Sequence, residues 1–339
     1  MRTALLAAAT ALALALPASA QEEPKGAPAP SEIVAAAPKA DWVAIPAEDL
    51  LVLTLAPDAE GKPRQVVIQL MPAPFSQGWV HNIRLFARSG WYDGISVNRV
   101  QDNYVTQWGD PNYDNPEATG QVKPLPEGLK TMGEAEYIVS VFRDSVQELP
   151  AKPPMIAGSA HPPIGLAAVA PAWGVDSYAS TTGFWSGWPL GIGDQSTWPV
   201  HCYGMVGVGR NYSPDTGSGA ELYTVIGHAP RHLDRNIALV GRVIEGMQHL
   251  SSLPRGAGAL GFYTAEEAAK RTPILTVRVA SDLPAGEQPK FEYLSTESQT
   301  FAAYAEAIAN RRDPFFIVPA GGADICNIKV PVRRVEDAG

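Results

Sequence analysis

Tyr92 to Pro111 reads YDGISVNRVQDNYVTQWGDP. A Tyr-Asp-Gly turn opens it, and two short β-type runs follow, Ile95 to Val100 and Tyr104 to Gln107. Arg99 sits in the first run, a permanent cation with rigidly placed donors among apolar and aromatic neighbours. An isolated arginine in a strand is usually a surface or ion-paired residue, so the rest of the chain has to decide what this one does.

A second block lies far downstream, Gly204 to Met247: GMVGVGRNYSPDTGSGAELYTVIGHAPRHLDRNIALVGRVIEGM. Together the two blocks resemble the signature blocks of the cyclophilins, in the same order. In the first, Arg99, Val100, Gln107, Gly109, Asp110 and Pro111 match the family pattern. Tyr104 and Val105 stand where Phe-Met is usual, while Asn98 (for His) and Trp108 (for Gly) depart from it. In the second, Gly209-Arg210 resembles the backbone-clamping Ala-Arg pair, and Ala220-Glu221-Leu222-Tyr223 replaces Ser-Gln-Phe-Phe. Leu233-Asp234 and Val240-Gly241-Arg242-Val243 keep the usual ending.

The resemblance implies a mainly β fold: a closed eight-stranded antiparallel β-barrel capped by two helices, here with a long insertion and a C-terminal α/β extension. It also implies peptidyl-prolyl cis-trans isomerisation without a cofactor or metal, acting on proline-containing polypeptides. By this correspondence Arg99 is the catalytic residue. Tyr104, Val105, Gln107, Gly209, Arg210, Glu221, Tyr223, His232 and Leu233 bind substrate, with Tyr104, Val105, Tyr223 and Leu233 forming the proline pocket. His232 falls where many eukaryotic members carry a Trp that helps bind cyclosporin, so weak cyclosporin sensitivity is expected. Glu221 in place of Gln is the departure with most consequence: it is either an active-site carboxylate able to pair with Arg99 and compete for its donors, or an exposed carboxylate at a turn edge. Arg99 favours an enzyme, and Glu221 favours the alternative of a catalytically weak chaperone or proline-peptide-binding module on the same fold.

The N-terminus reads as an export signal over residues 1–20: a basic start at Arg2, an apolar run from Ala4 to Leu16, and Ala18-Ser19-Ala20 as a cleavage site. A periplasmic or otherwise exported protein is expected, with no membrane insertion after cleavage near Ala20. Residues 21–40 are Pro/Ala-rich and read as a flexible linker. The cyclophilin-like domain is expected over 41–285 and the C-terminal extension, packed on the barrel, over 286–339. The net charge of -9 argues against nucleic acid and anionic membrane surfaces as partners. The sequence carries no signal for oligomeric state.

Outside the two blocks, Leu50 to Leu55 and Gln65 to Leu70 read as a hairpin around Glu60-Gly61-Lys62-Pro63, and Phe75, Trp79, Ile83 and Phe86 follow helical spacing. Further strands are expected at Tyr137 to Phe142, Gly204 to Val208, Leu222 to Ile226, Ile237 to Val243 and Ile274 to Val279, and a second helix near Glu245. An insertion spans about 145–201 and holds Trp173, Trp185, Trp188 and Trp198 with almost no charge. It either packs over the barrel wall or borders the groove. Near the C-terminus, Thr296 and Gln299 form a capping box for a helix through Phe301, Ala305 and Ile308. A hairpin of Phe315 to Val318 with Ile325 to Val330 is expected after it. Cys202 and Cys326 are the two cysteines. They either pair in an oxidising compartment or are small apolar residues, Cys326 alternating with Ile328, Val330 and Val332 on one strand face.

Overall fold

The computed structural model describes residues 26–113, 115–140, 167–168, 176–193 and 195–335. The export signal expected over residues 1–20 and Trp173 lie outside them. The central sheet has eight strands: β1 (Leu50–Leu55), β2 (Arg64–Leu70), β3 (Ser96–Val100), β4 (Val105–Gly109), β5 (Met205–Val208), β6 (Leu222–Val225), β7 (Leu239–Glu245) and β8 (Ile274–Val279). They are antiparallel in the order β8-β1-β2-β7-β5-β6-β4-β3. The two edges meet at a bridge between Ser96 and Pro273, with Val97 N–H donating to the Thr272 carbonyl at 2.9 Å and Ile274 N–H to the Ile95 carbonyl at 2.8 Å. The sheet is thus a nearly closed barrel.

The β1–β2 hairpin forms where Asp58 Oδ1 accepts from the amides of Glu60 and Lys62 and Gly61 takes a positive φ. β1 is a continuous apolar run because both its faces are covered. Leu51, Leu53 and Leu55 enter the main core, while Leu50 and Val52 join Val67, Ile45, Ala280 and Phe291 in a second cluster on the outside. Four helices are described: α1 (Pro30–Ala35), α2 (Gln77–Arg88), α3 (Gln248–Ser251) and α4 (Gln299–Ala309). α2 buries Trp79, Ile83 and Phe86 of the expected stripe completely, together with Val80, while Phe75 is buried in the turn just before the helix. The helix expected near Glu245 is a single turn, α3, whose Leu250 is fully buried.

Several expectations are corrected. Tyr137 lies in a 3-10 turn, and Val139–Ser140 pairs with Ser196 and Thr197 in a separate five-stranded sheet built by the insertion. That sheet packs its Phe184, Trp188, Leu190 and Trp198 into the main core, so the insertion covers the barrel. The linker expected over 21–40 includes α1, which packs against α4. α4 is capped by Ser298, whose Oγ accepts from Phe301 N–H, whereas Thr296 Oγ1 accepts from Gly187 N–H in the insertion. Phe291–Leu294 in the extension is the middle strand between Trp42–Ala44 and Val332–Arg334. The hairpin of Phe315 to Val318 with Ile325 to Val330 does not form. Phe315, Ile317 and Val318 are exposed, and Asp324 Oδ1 caps the Cys326 amide at 2.8 Å, turning the chain into a short 3-10 helix. Cys326 is disulfide-bonded to Cys202, which settles the cysteine alternatives in favour of a bridge.

Candidate active site

A bulge between Val97 and Arg99 in the β3–β4 ladder separates the fates of two neighbours. Asn98 is buried and donates from Nδ2 to the Gly109 carbonyl at 3.1 Å while accepting from Ser96 Oγ at 2.7 Å. Arg99 is left half-buried on the barrel exterior. Its Nε donates to the Leu260 carbonyl at 2.7 Å, Nη1 to Gln107 Oε1 at 3.0 Å, and Nη2 to Gln101 Oε1. The guanidinium lies 5.6 Å from the Tyr104 ring centre and 5.5 Å from that of Phe262. Burial pulls its pKa below the ordinary arginine value, with Tyr104 and Tyr223 opposing the shift. Burial likewise raises the Tyr104 hydroxyl pKa.

Gln107 is the register partner of Arg99 on one side and of Tyr223 on the other. Strand alternation then sets the surface. Trp108 and Leu222 point into the main core, which accounts for a Trp where the family has Gly, while Val105, Tyr223 and Val225 form an outer cluster with Tyr104 and Ile237 packed on it. An apolar patch therefore lies beside the Arg99–Gln107 pair. Of the two readings of Glu221, the exposed turn edge is excluded, and the contact it makes is with Gln107 and not an ion pair with Arg99. Glu221 is buried, with Oε2 3.4 Å from Gln107 Nε2, so Gln107 stands between acid and cation. The carboxylate occupies the space over Gly109, where a Cβ would lie 1.9 Å from Oε1. Gly209 is explained in the same way: a Cβ there would come within 2.7 Å of Glu221 Cβ.

Residues 64–279 match the family model described as cyclophilin type peptidyl-prolyl cis-trans isomerase/CLD. The chain belongs to the cyclophilin family. It is thereby a peptidyl-prolyl cis-trans isomerase, and cyclophilin domains act on proline-containing polypeptides. Among solved structures it is similar to cyclophilin AquaCyp293 from Hirschia baltica. That likeness covers 87% of this chain and 95% of the other, with a TM-score of 0.60 and 19% identity, and it shows a shared fold. No curated protein matches the chain.

The remaining residues of this cyclophilin's two blocks surround the patch unevenly. His232 is exposed and stacks at 6.5 Å on Tyr104, and Leu233 is half-buried on the same 3-10 turn. Arg210 is turned to backbone, donating to the carbonyls of Asn236 and Asn211 at 3.0 and 2.7 Å. Sequence reading missed Phe262 and Leu260, which wall and hold Arg99 although they lie outside both blocks. It also missed His201 at the end of the insertion, whose Nε2 is 3.0 Å from the Tyr223 hydroxyl and whose Nδ1 is 2.9 Å from Asp234 Oδ1.

Burial holds the His201 pKa below its usual 6.5, despite the opposing Asp234. Asp234 is itself held below its usual 3.8, because its hydrogen bonds and the charges of its partners outweigh burial. Both shifts point the same way. The unfolded chain takes up a proton at His201 that the folded chain refuses, so stability is lost as pH falls below 6.5. The Asp234 contribution is present above 3.8 and is lost as pH falls through its lower folded value. Thermal melting against pH should show the midpoint fall first below about pH 6.5 and again below about pH 4. A midpoint flat from neutrality to pH 5 would contradict this assignment.

Proposed function

We propose that this cyclophilin assists the folding of exported polypeptides by rotating their X-Pro bonds, with Arg99 as the polarising group and the Tyr104, Val105, Tyr223 and Leu233 side chains holding the proline ring. The observation that carries the reading is one guanidinium, fixed by Gln107, beside an apolar cluster drawn from both sequence blocks. Rotation of the prolyl amide faces a barrier of about 18–20 kcal/mol because it breaks a partial double bond, and no bond is cut. A donor aimed at the amide nitrogen draws its lone pair out of conjugation. Among the described residues, three carbonyl-type oxygens take one donor each from Arg99, which leaves N–H groups of this five-donor fork for substrate.

A charge-assisted hydrogen bond contributes about 1.5–3 kcal/mol, whereas a rate gain of ~10⁵ needs about 7 kcal/mol. The rest must come from a water-poor pocket that favours the twisted amide over the planar one. In this reading Gln107 orients Arg99, His232 and Leu233 border the pocket, and Gly209 and Arg210 hold the extended substrate backbone. We assign the isomerase domain to 41–285, its nearly closed barrel capped by α2 and the short α3, and treat the chain from 286 onward as an extension of it. Export is supported by the signal-like residues 1–20 and by the disulfide, since such bridges persist in oxidising compartments.

Measured X-Pro peptide isomerisation tests the proposal directly: acceleration by wild type is expected, and peptide binding without acceleration would leave a binding module instead. Glu221→Gln separates the two carboxylate roles. Because Glu221 touches Gln107 rather than Arg99, kcat/KM should change by less than about tenfold, the span of one ordinary hydrogen bond. A larger gain would mean that the acid competes for Arg99 after all.

A further inference from the structure

Family members usually carry Phe where this chain has Tyr223, so the phenol hydroxyl is an addition at the proposed pocket wall. The residue is buried, and a buried hydroxyl needs a partner. It finds one outside both signature blocks. His201 is completely buried, lies nearly parallel to the Tyr223 ring at an interplanar angle of 12° with the ring centres 6.4 Å apart, and places Nε2 3.0 Å from the hydroxyl. Asp234 Oδ1 accepts from the His201 backbone amide and faces Nδ1, each at 2.9 Å, which puts the ring proton on Nδ1 and leaves Nε2 to accept from Tyr223.

The chain of contacts continues. Arg231 Nε donates to Asp234 Oδ2 at 2.6 Å, and its two terminal nitrogens donate to the Asp176 carboxylate at 2.8 and 3.1 Å. The side chains of His201, Asp234, Arg231 and Asp176 are all at most 9% exposed. Asp176 belongs to the insertion, so five residues connect that segment to the pocket wall. Water has little access to break the connection, and buried networks of this kind fix side-chain orientation.

We propose that His201 is a positioning residue of this isomerase, setting the Tyr223 ring against the substrate proline and tying its orientation to the insertion through Asp234, Arg231 and Asp176. The inference rests on reading Tyr223 as pocket wall. His201 touches no reacting atom; it acts through Tyr223. A purely structural histidine would change melting temperature but not the kinetics of the folded enzyme.

The test is a double-mutant cycle on the full chain, read as kcat and KM for an X-Pro peptide at a temperature where melting curves show every variant folded. In the wild-type background, His201→Leu should lower kcat/KM about tenfold, mainly through KM, because the hydroxyl loses its acceptor and the ring turns. In a Tyr223→Phe background the same change should cost less than about twofold, since no hydroxyl remains to be held. His201→Asn keeps a donor for Asp234 but is too short for Tyr223, and it should behave kinetically like His201→Leu even if the latter fails to fold. Equal losses in both backgrounds, or His201→Asn within twofold of wild type, would overturn the proposal. Arg99→Ala and Tyr223→Ala, run alongside, judge the pocket itself. If they lose activity while the cycle shows no coupling, only the His201 inference fails. If neither loses activity, the pocket reading fails as well.

Discussion

Arg99→Ala should lower kcat/KM for X-Pro isomerisation by about 100-fold, which corresponds to losing one charge-assisted hydrogen bond of about 1.5–3 kcal/mol made in the transition state. The apolar cluster of Val105, Tyr223 and Val225 does not depend on the guanidinium, so peptide affinity should fall much less than turnover. Arg99→Lys should rescue little. An ammonium cannot reach the Leu260 carbonyl, Gln107 and Gln101 together as the planar fork does. Some stability will also go, because the cation faces Tyr104 and Phe262 at 5.6 and 5.5 Å and such contacts contribute about 0.5–2 kcal/mol each. Melting curves must therefore accompany the kinetics. NMR exchange between cis and trans peptide provides the rate, and a loss below threefold in folded Arg99→Ala would remove this residue from the mechanism.

The second large effect is on stability. Replacing Cys202 and Cys326 together by serine should cost about 2–5 kcal/mol, the usual consequence of removing a native bridge that closes a long loop. The two residues are 124 positions apart, and Cys202 is buried. For a domain of this size the loss should appear as a fall of roughly 5–15 °C in melting temperature. Reductant should bring wild type to the same midpoint as the double serine variant. Equal melting of oxidised wild type and that variant would mean the bridge contributes nothing to folding.

How much was legible before the structure follows from what each residue depends on. The β1–β2 hairpin, α2 and most barrel strands depend on local turn chemistry and on the period of apolar residues, and both are written along the chain. Arg99 beside Tyr104 and Gln107 was legible for the same reason, since a strand pair and its turn bring them together. Whether Glu221 meets Arg99 is not legible, because spacing gives proximity but not what stands between. The register puts Gln107 there. Leu260 and Phe262 reach Arg99 from a loop about 160 residues away, with no periodic pattern to announce it. Phe315 to Val318 has the composition of a strand, yet among the described residues no strand pairs with it, and β propensity alone does not order an unpartnered run. His201 carries no sequence signal at all, because its role comes from a hydroxyl contributed by another strand.

The Cys202 sulfur follows His201 immediately in the chain, and Cys326 Sγ also lies 3.8 Å from the His201 carbonyl. The clamp next to His201 therefore comes from a residue 124 positions downstream of Cys202, beyond both signature blocks. A product truncated upstream of Cys326 would contain every signature residue and still lack that fastening, so carrying both blocks is not the same as being able to lock them.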